Sequence, residues 1–452
     1  MNCVQRWMTC LLVPTALVFT CRGGRLDAAD LRVGAAAVEL LAEDTMVIAG
    51  GIGPWYAKGQ EGKLRATAVV LQKPPAAKVA LVSVDVLMLT RDLLDPVAAE
   101  IEQACGIPAA GVLIHTTHTH HAPSTMRVHE YDRDETFCRR VQQGIVQAVK
   151  EADSKLADAT FQFHLGKEES VGQNSRLLLS DGTIYWVGPR DDAVRPTGPF
   201  DPDVPVLAFR NPAGALLAVV FGHSTHSIGS LTGGVRSPTF YGMAAQRMET
   251  ELGGVFAFLE GASGSTHRFE PDPPEAARRI EAAVRDALSR AQAEPVGVVA
   301  SLKRPFVFQV RKFDEAAEDR AVTAYCTKRI GGGAPGVIAV FRKMRGELAA
   351  HQGESRTTWI QAVRIGDVAL VGVPAEFFTS LGVELKRRSP IKQTYLAELS
   401  NDWIGYLPDR EAHELGGYQV WTGFHSYAEP GTGERLVDEA VGMLRELAEV
   451  RP

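Results

Sequence analysis

The segment GVLIHTTHTHHAP, residues 111–123, carries four of the twelve histidines of the chain: His115, His118, His120 and His121. It reads as a β-strand and its end. Residues two apart on a strand share a face, so His118 and His120 can be aimed at one spot. Neutral imidazole is the commonest metal ligand, and two on one face begin a zinc site. Two further segments repeat the device. The apolar run LLAVVFGHSTHS (216–227) ends in His223 and His226, and the strand-like DVALVGVPAE (367–376) ends in Glu376. Two histidines and a carboxylate from separate strand ends are a usual composition for a hydrolytic zinc site. Taken singly, His223 could instead be a capping or core histidine, and Glu376 a first-turn acid of the following helix.

Strand–helix–strand units position these residues. KVALVSVDVLML (78–89) reads as a strand, RDLLDPVAAEIEQACG (91–106) as a helix stopped at Gly106, and GVLIHTTHTH as a second strand parallel to the first. Sites of α/β sheets gather at the carboxyl ends of such strands. Asp85, a carboxylate inside an apolar strand, is either a partner of the site or hydrogen-bonded in the core. Further along come a helix over 135–152 and short strands over 159–166 and 183–187, with Asp181-Gly182 as a turn. A strand over 216–223 then leads to a helix over 240–252, a strand from 255, and a helix over 274–293. Residues 297–365 hold a strand, two polar helical stretches broken at 332–336, and another strand. A strand, Pro turn and helix cover 367–388, and an amphipathic helix covers 433–449. No internal repeat is evident. The expectation is one α/β domain over 30–452, a mixed sheet flanked by helices.

The bulk properties narrow the function. The 452 residues are 45% hydrophobic and 23% charged with net charge −6, ordinary globular values, and no basic stripe points to nucleic acid. Residues 1–29 read as a signal peptide, which implies a secreted or periplasmic protein; a lipoprotein at Cys21 is disfavoured by Phe19. No later stretch has the apolar length of a transmembrane span. Cys105, Cys138 and Cys326 remain beyond the leader, an odd and widely spaced set that makes no disulfide framework and no CxxC zinc site.

Several segments, in order, resemble the neutral ceramidases, and more closely their shorter bacterial relatives that consist of the catalytic domain. THTHHAP (117–123) is similar to that family's THTHSGP, FGHSTHS (221–227) to its ATHxTS segment, and VPAE (373–376) to its VPGE. Tyr406 in NDWIGYLP and Tyr418 in GGY keep the spacing of its two tyrosines. GQNSR (172–176) and PFDPDVPVL (199–207) fit its Asn-Arg segment and the stretch after it. The resemblance implies a zinc ion held by His118, His223, Glu376 and Tyr406. It implies also that His120, Arg176 and Tyr418 serve the scissile amide of a lipid or small-molecule N-acyl substrate. In such a site zinc makes water acidic enough to attack a carbonyl, and His120 moves the proton that the leaving amine needs. The chain departs from the family pattern at GASGSTHRF (261–269). Ser265 stands at an aspartate position there, and His267 at the position of a serine that faces the substrate carbonyl. Thr239 in SPTFYG replaces another aspartate. The chain ends near where the family's C-terminal immunoglobulin-like domain begins. These features imply zinc-dependent amide hydrolysis, with His267 as an altered catalytic position. The competing readings are an esterase on the same parts and a secreted zinc-binding protein without turnover.

Overall fold

The computed structural model describes residues 31–76 and 78–451, so the expected leader lies outside the described residues. The three main sheets of the described residues share one design. In the first, β1 (Arg32–Glu39), β2 (Arg65–Gln72), β3 (Val79–Val84) and β4 (Val112–Thr116) lie in the order β4-β3-β2-β1. The pairs β1/β2 and β2/β3 are antiparallel, and β3/β4 is parallel across helix α1 (Arg91–Cys105). Helix α2 (Glu135–Ser154) follows, its N-terminus capped by Asp134 accepting from the Phe137 amide.

The second sheet repeats the plan with β5 (Thr160–Lys167), β6 (Asp203–Arg210), β7 (Leu216–His223) and β8 (Val255–Glu260). Two antiparallel pairings lead to the parallel pair β7/β8, joined through α3 (Thr239–Leu252) and followed by α4 (Pro273–Arg290). The third uses β9 (Val299–Gln309), β10 (Ser355–Ile365), β11 (Val368–Gly372) and β12 (Gln393–Ala397), again with the last pair parallel. Between its first two strands are inserted α5 (Glu315–Arg329) and α6 (Ala334–Leu348). Helix α7 (Thr379–Arg388) makes the crossover, and α8 (Thr432–Glu449) closes the chain.

Alternation along the strands builds a core with two kinds of face. Leu113, Leu81, Leu259, Val220 and Leu370 point to a central core shared by all three sheets. Their neighbours one residue away, such as Ile114, Val82, Phe258, Phe221 and Val371, pack under the helices of their own sheet. The fold is therefore α/β with mixed sheets flanked by helices, as expected, but with three main sheets where the sequence suggested one. The absence of a visible repeat is corrected as well. The repeat is architectural, because a shared strand order needs only a shared apolar alternation, not shared residues. Residues 183–187 do not form the expected strand. Leu177–Leu179 pairs instead with Ala193–Pro196, and Ile184 makes a single bridge to Leu178.

Candidate metal centre

The carboxyl ends of β4, β7 and β11 converge, and the chain beyond each of them carries the chemistry. Strand β4 stops at Thr116, so His118 and His120 do not sit on the strand face that the spacing suggested. His118 lies in the left-handed region at φ +57, a conformation that a β-carbon disfavours and that functional sites tend to hold under constraint. The constraint is visible. The Thr117 amide donates to Val84 O at 2.9 Å, and the Thr117 hydroxyl to Asp85 Oδ1 at 3.1 Å. Asp85, left open above, is thus both hydrogen-bonded in the core and beside the site.

His118, His120 and His226 bring one nitrogen each to within 4.8 Å of one another. His118 Nδ1 lies 3.0 Å from Leu87 O and His226 Nδ1 lies 2.9 Å from Ser263 O. A carbonyl only accepts, so both rings carry their hydrogen on Nδ1 and expose a lone pair at Nε2. His118 Nε2 then faces His120 Nε2 at 3.2 Å and Glu376 Oε2 at 3.5 Å. His226 Nε2 faces the same carboxylate oxygen at 3.3 Å and the Tyr406 hydroxyl at 3.2 Å. Burial presses the His118 imidazole down to about 4 and holds His120 well below its usual range, so neither ring takes up a second proton at neutral pH. Nitrogen and oxygen atoms gathered in this way around one point could hold a metal ion.

The surroundings fix this set. Trp403 Nε1 donates to Glu376 Oε1 at 3.1 Å, orienting the other oxygen toward the histidines. Glu376 and Tyr406 begin a short parallel pair of strands, which carries both groups in together. Gly264 packs so closely that a β-carbon there would meet Glu376 O at 2.4 Å, and one on Gly50 would meet His120 Nδ1 at 2.2 Å. Both glycines let a backbone lie against the site.

His223 is not brought into the cluster, which corrects the expectation. It is the last residue of β7 and still in the pleat. Its Nδ1 is 2.6 Å from the Tyr241 hydroxyl under α3, and its Nε2 is 3.1 Å from Glu168 O. His226, three residues on, takes the place foreseen for it. Arg176 is also placed differently from expectation. Its guanidinium donates to Gly416 O at 2.6 Å, Gln419 Oε1 at 2.9 Å and Ala412 O at 3.4 Å, behind the loop that bears Tyr418. It holds that loop and does not face the cluster. Tyr418 stacks on Trp186 with ring centroids 4.4 Å apart and stands edge-on to Tyr406 at 5.9 Å. His267 is half-buried and edge-on to His226 with centroids 4.2 Å apart. Ser265 bonds to Thr379 instead of facing the cluster.

The sequence contained a signal for the missed residue. All four histidines of this neighbourhood, His118, His120, His226 and His267, follow a threonine, and none of the others does. Thr117, Thr119 and Thr266 each hydrogen-bond away from the histidine they precede, to Asp85, Ser237 O and Ser224 O, and so pin the irregular backbone.

No helix among the described residues is long and apolar enough to cross a membrane. No family model and no curated protein matches the chain. Solved structures do match it. The neutral ceramidase from Pseudomonas aeruginosa superposes with TM-score 0.72 at 19% identity, over 94% of this chain and 76% of that one. A ceramidase complexed with C2 gives TM-score 0.72 at 18% identity, over 94% and 77%. At this identity the likeness is one of architecture, and the chain has the fold of the neutral ceramidases.

Proposed function

We propose that the chain is a zinc-dependent hydrolase of N-acyl amides. The observation that carries the reading is the convergence of His118 Nε2, His226 Nε2 and Glu376 Oε2, buried atoms within 3.5 Å of a neighbour. His118, His226, Glu376 and Tyr406 would hold the ion. Nitrogen and oxygen donors of this kind suit zinc. When bound, the ion polarises a carbonyl and makes water a nucleophile at neutral pH.

The residues around it divide the remaining work. His120, half-buried at the mouth of the cluster, takes the proton of the attacking water and returns it to the departing amine nitrogen. Tyr418, kept a neutral donor by burial that holds its hydroxyl well above the usual phenol range, would donate to the developing oxyanion. Arg176 keeps that tyrosine in place through the carbonyls of its loop. His267 narrows the space where the family has a serine. The preferred substrates are therefore small N-acyl amines or amino acids, with long-chain ceramide a poor one. Secretion rests on residues 1–29 and is part of the proposal.

The test is metal analysis of the purified protein with a screen of N-acyl amides and matching esters. One zinc per chain with amide turnover supports the reading. Zinc with no turnover on any amide or ester favours a binding protein, and efficient hydrolysis of long-chain ceramide overturns the specificity.

A further inference from the structure

Behind the cluster lies a second polar group that neither the proposed reaction nor the family resemblance uses. Glu398 follows the last residue of β12, is fully buried, and makes contacts to two of the segments that carry the cluster. Its Oε2 accepts the Phe377 amide at 2.9 Å, the peptide next to Glu376, and the Ser263 amide at 2.9 Å. Its Oε1 lies 2.5 Å from the Ser263 hydroxyl. Ser263 in turn supplies the carbonyl that takes the His226 Nδ1 hydrogen at 2.9 Å, and its hydroxyl also reaches Glu260 Oε1 at 3.0 Å. One carboxyl group therefore fixes both the peptide that carries the cluster's carboxylate and the residue that sets the tautomer and tilt of its imidazole.

The same residue is fastened to the rest of the hub by its backbone. The Glu398 amide donates to Glu260 O at 2.9 Å. The His115 ring bridges from the first sheet, its Nδ1 2.5 Å from Glu398 O and its Nε2 accepting the Glu260 amide at 2.9 Å. Glu398 is thus anchored against all three sheets and has little freedom to follow a ligand that shifts.

We infer that Glu398 is a positioning residue for the metal ligands, holding His226 and Glu376 in binding geometry through Ser263 and Phe377. The inference rests on the proposed metal reading, and a wild-type control separates the two. Residues that orient ligands typically change metal affinity by about 10–100-fold when lost. The test is zinc affinity by chelator competition, read beside the melting temperature of the metal-free protein, for wild type, E398A, E398Q and E398D. E398A is expected to bind zinc about 10–100-fold more weakly. E398Q keeps an oxygen for the two amides and is expected to stay within about threefold of wild type. A folded E398A with wild-type affinity overturns the inference, as does an E398Q no better than E398A. If E398A does not fold, E398D decides, because it keeps the carboxyl but draws it back by one methylene from the Ser263 and Phe377 amides: weaker zinc binding in it supports the inference and unchanged binding overturns it. Failure of the wild type to bind zinc is a failure of the metal reading instead.

Discussion

The ends of β4 and β7 look alike in sequence and behave differently in space. Each is an apolar run closing on two histidines three residues apart, IHTTH and GHSTH. In both, the histidine still inside the strand is a brace and the one beyond it joins the cluster. His115 bridges backbone groups of the other two sheets, and His223 bonds to Tyr241 and Glu168 O. The strands stop at Thr116, His223 and Gly372, while the cluster takes His118, His226 and Glu376, two, three and four residues further on. A residue in the pleat has its direction fixed by the sheet, either into the central core or under a helix. Only the chain that has left the sheet can turn toward the point where three sheets meet. At such ends the overrun, not the strand, is where chemistry should be sought.

The largest effect expected separates the two histidines at the end of β7. H226A should bind zinc more than ~100-fold more weakly and lose turnover with it. H223A should keep one zinc per chain and lose about 1–3 kcal/mol of stability, since the Tyr241 hydroxyl is left buried without its partner. Metal content and urea midpoints of the two variants read this out, and a zinc-free H223A beside a zinc-replete H226A would sink the comparison.

Within the first overrun, His118 and His120 lie 3.2 Å apart yet are given different tasks. H120A should retain its zinc and lose about 10²–10⁴ in kcat with little change in KM. Steady-state kinetics beside metal analysis checks it. Loss of the ion would make His120 a ligand.

The smallest effect concerns a further overrun, after β12. Asp402 there accepts the Arg91 and Trp403 amides, each at 2.9 Å, and burial pushes its carboxyl up to about 6. A carboxyl whose folded value lies above its unfolded 3.8 adds stability below pH 4, which is lost as pH rises through about 6. The amount is on the order of 3 kcal/mol. In D402N the amide oxygen keeps both bonds without charge, so stability should fall less steeply between pH 4 and 7. Urea midpoints across that range test it, and equal slopes would refute the assignment.

Much of this was legible in the sequence. The apolar run before His115, the helix stopped at Gly106 and the Val-Pro-Ala-Glu turn were readable because each depends on local pattern. The choice of His226 over His223 was not, because it depends on where a strand stops, and pairing partners far away in the chain set that. The displacement of Arg176 was hidden for a similar reason: its partners, Gly416 and Gln419, lie more than two hundred residues on. The threefold plan escaped because the three units share a strand order and not a motif.

The junction where His115 touches both Glu260 and Glu398 has a consequence for how the molecule is made. Each sheet supplies a different part of the cluster, so a chain with any one sheet undocked holds only a fragment of it. Under the proposed metal reading, an ion of ordinary affinity would find no complete site on the half-assembled chain. Its capture would fall at the end of folding, and metal content would then count the molecules that finished.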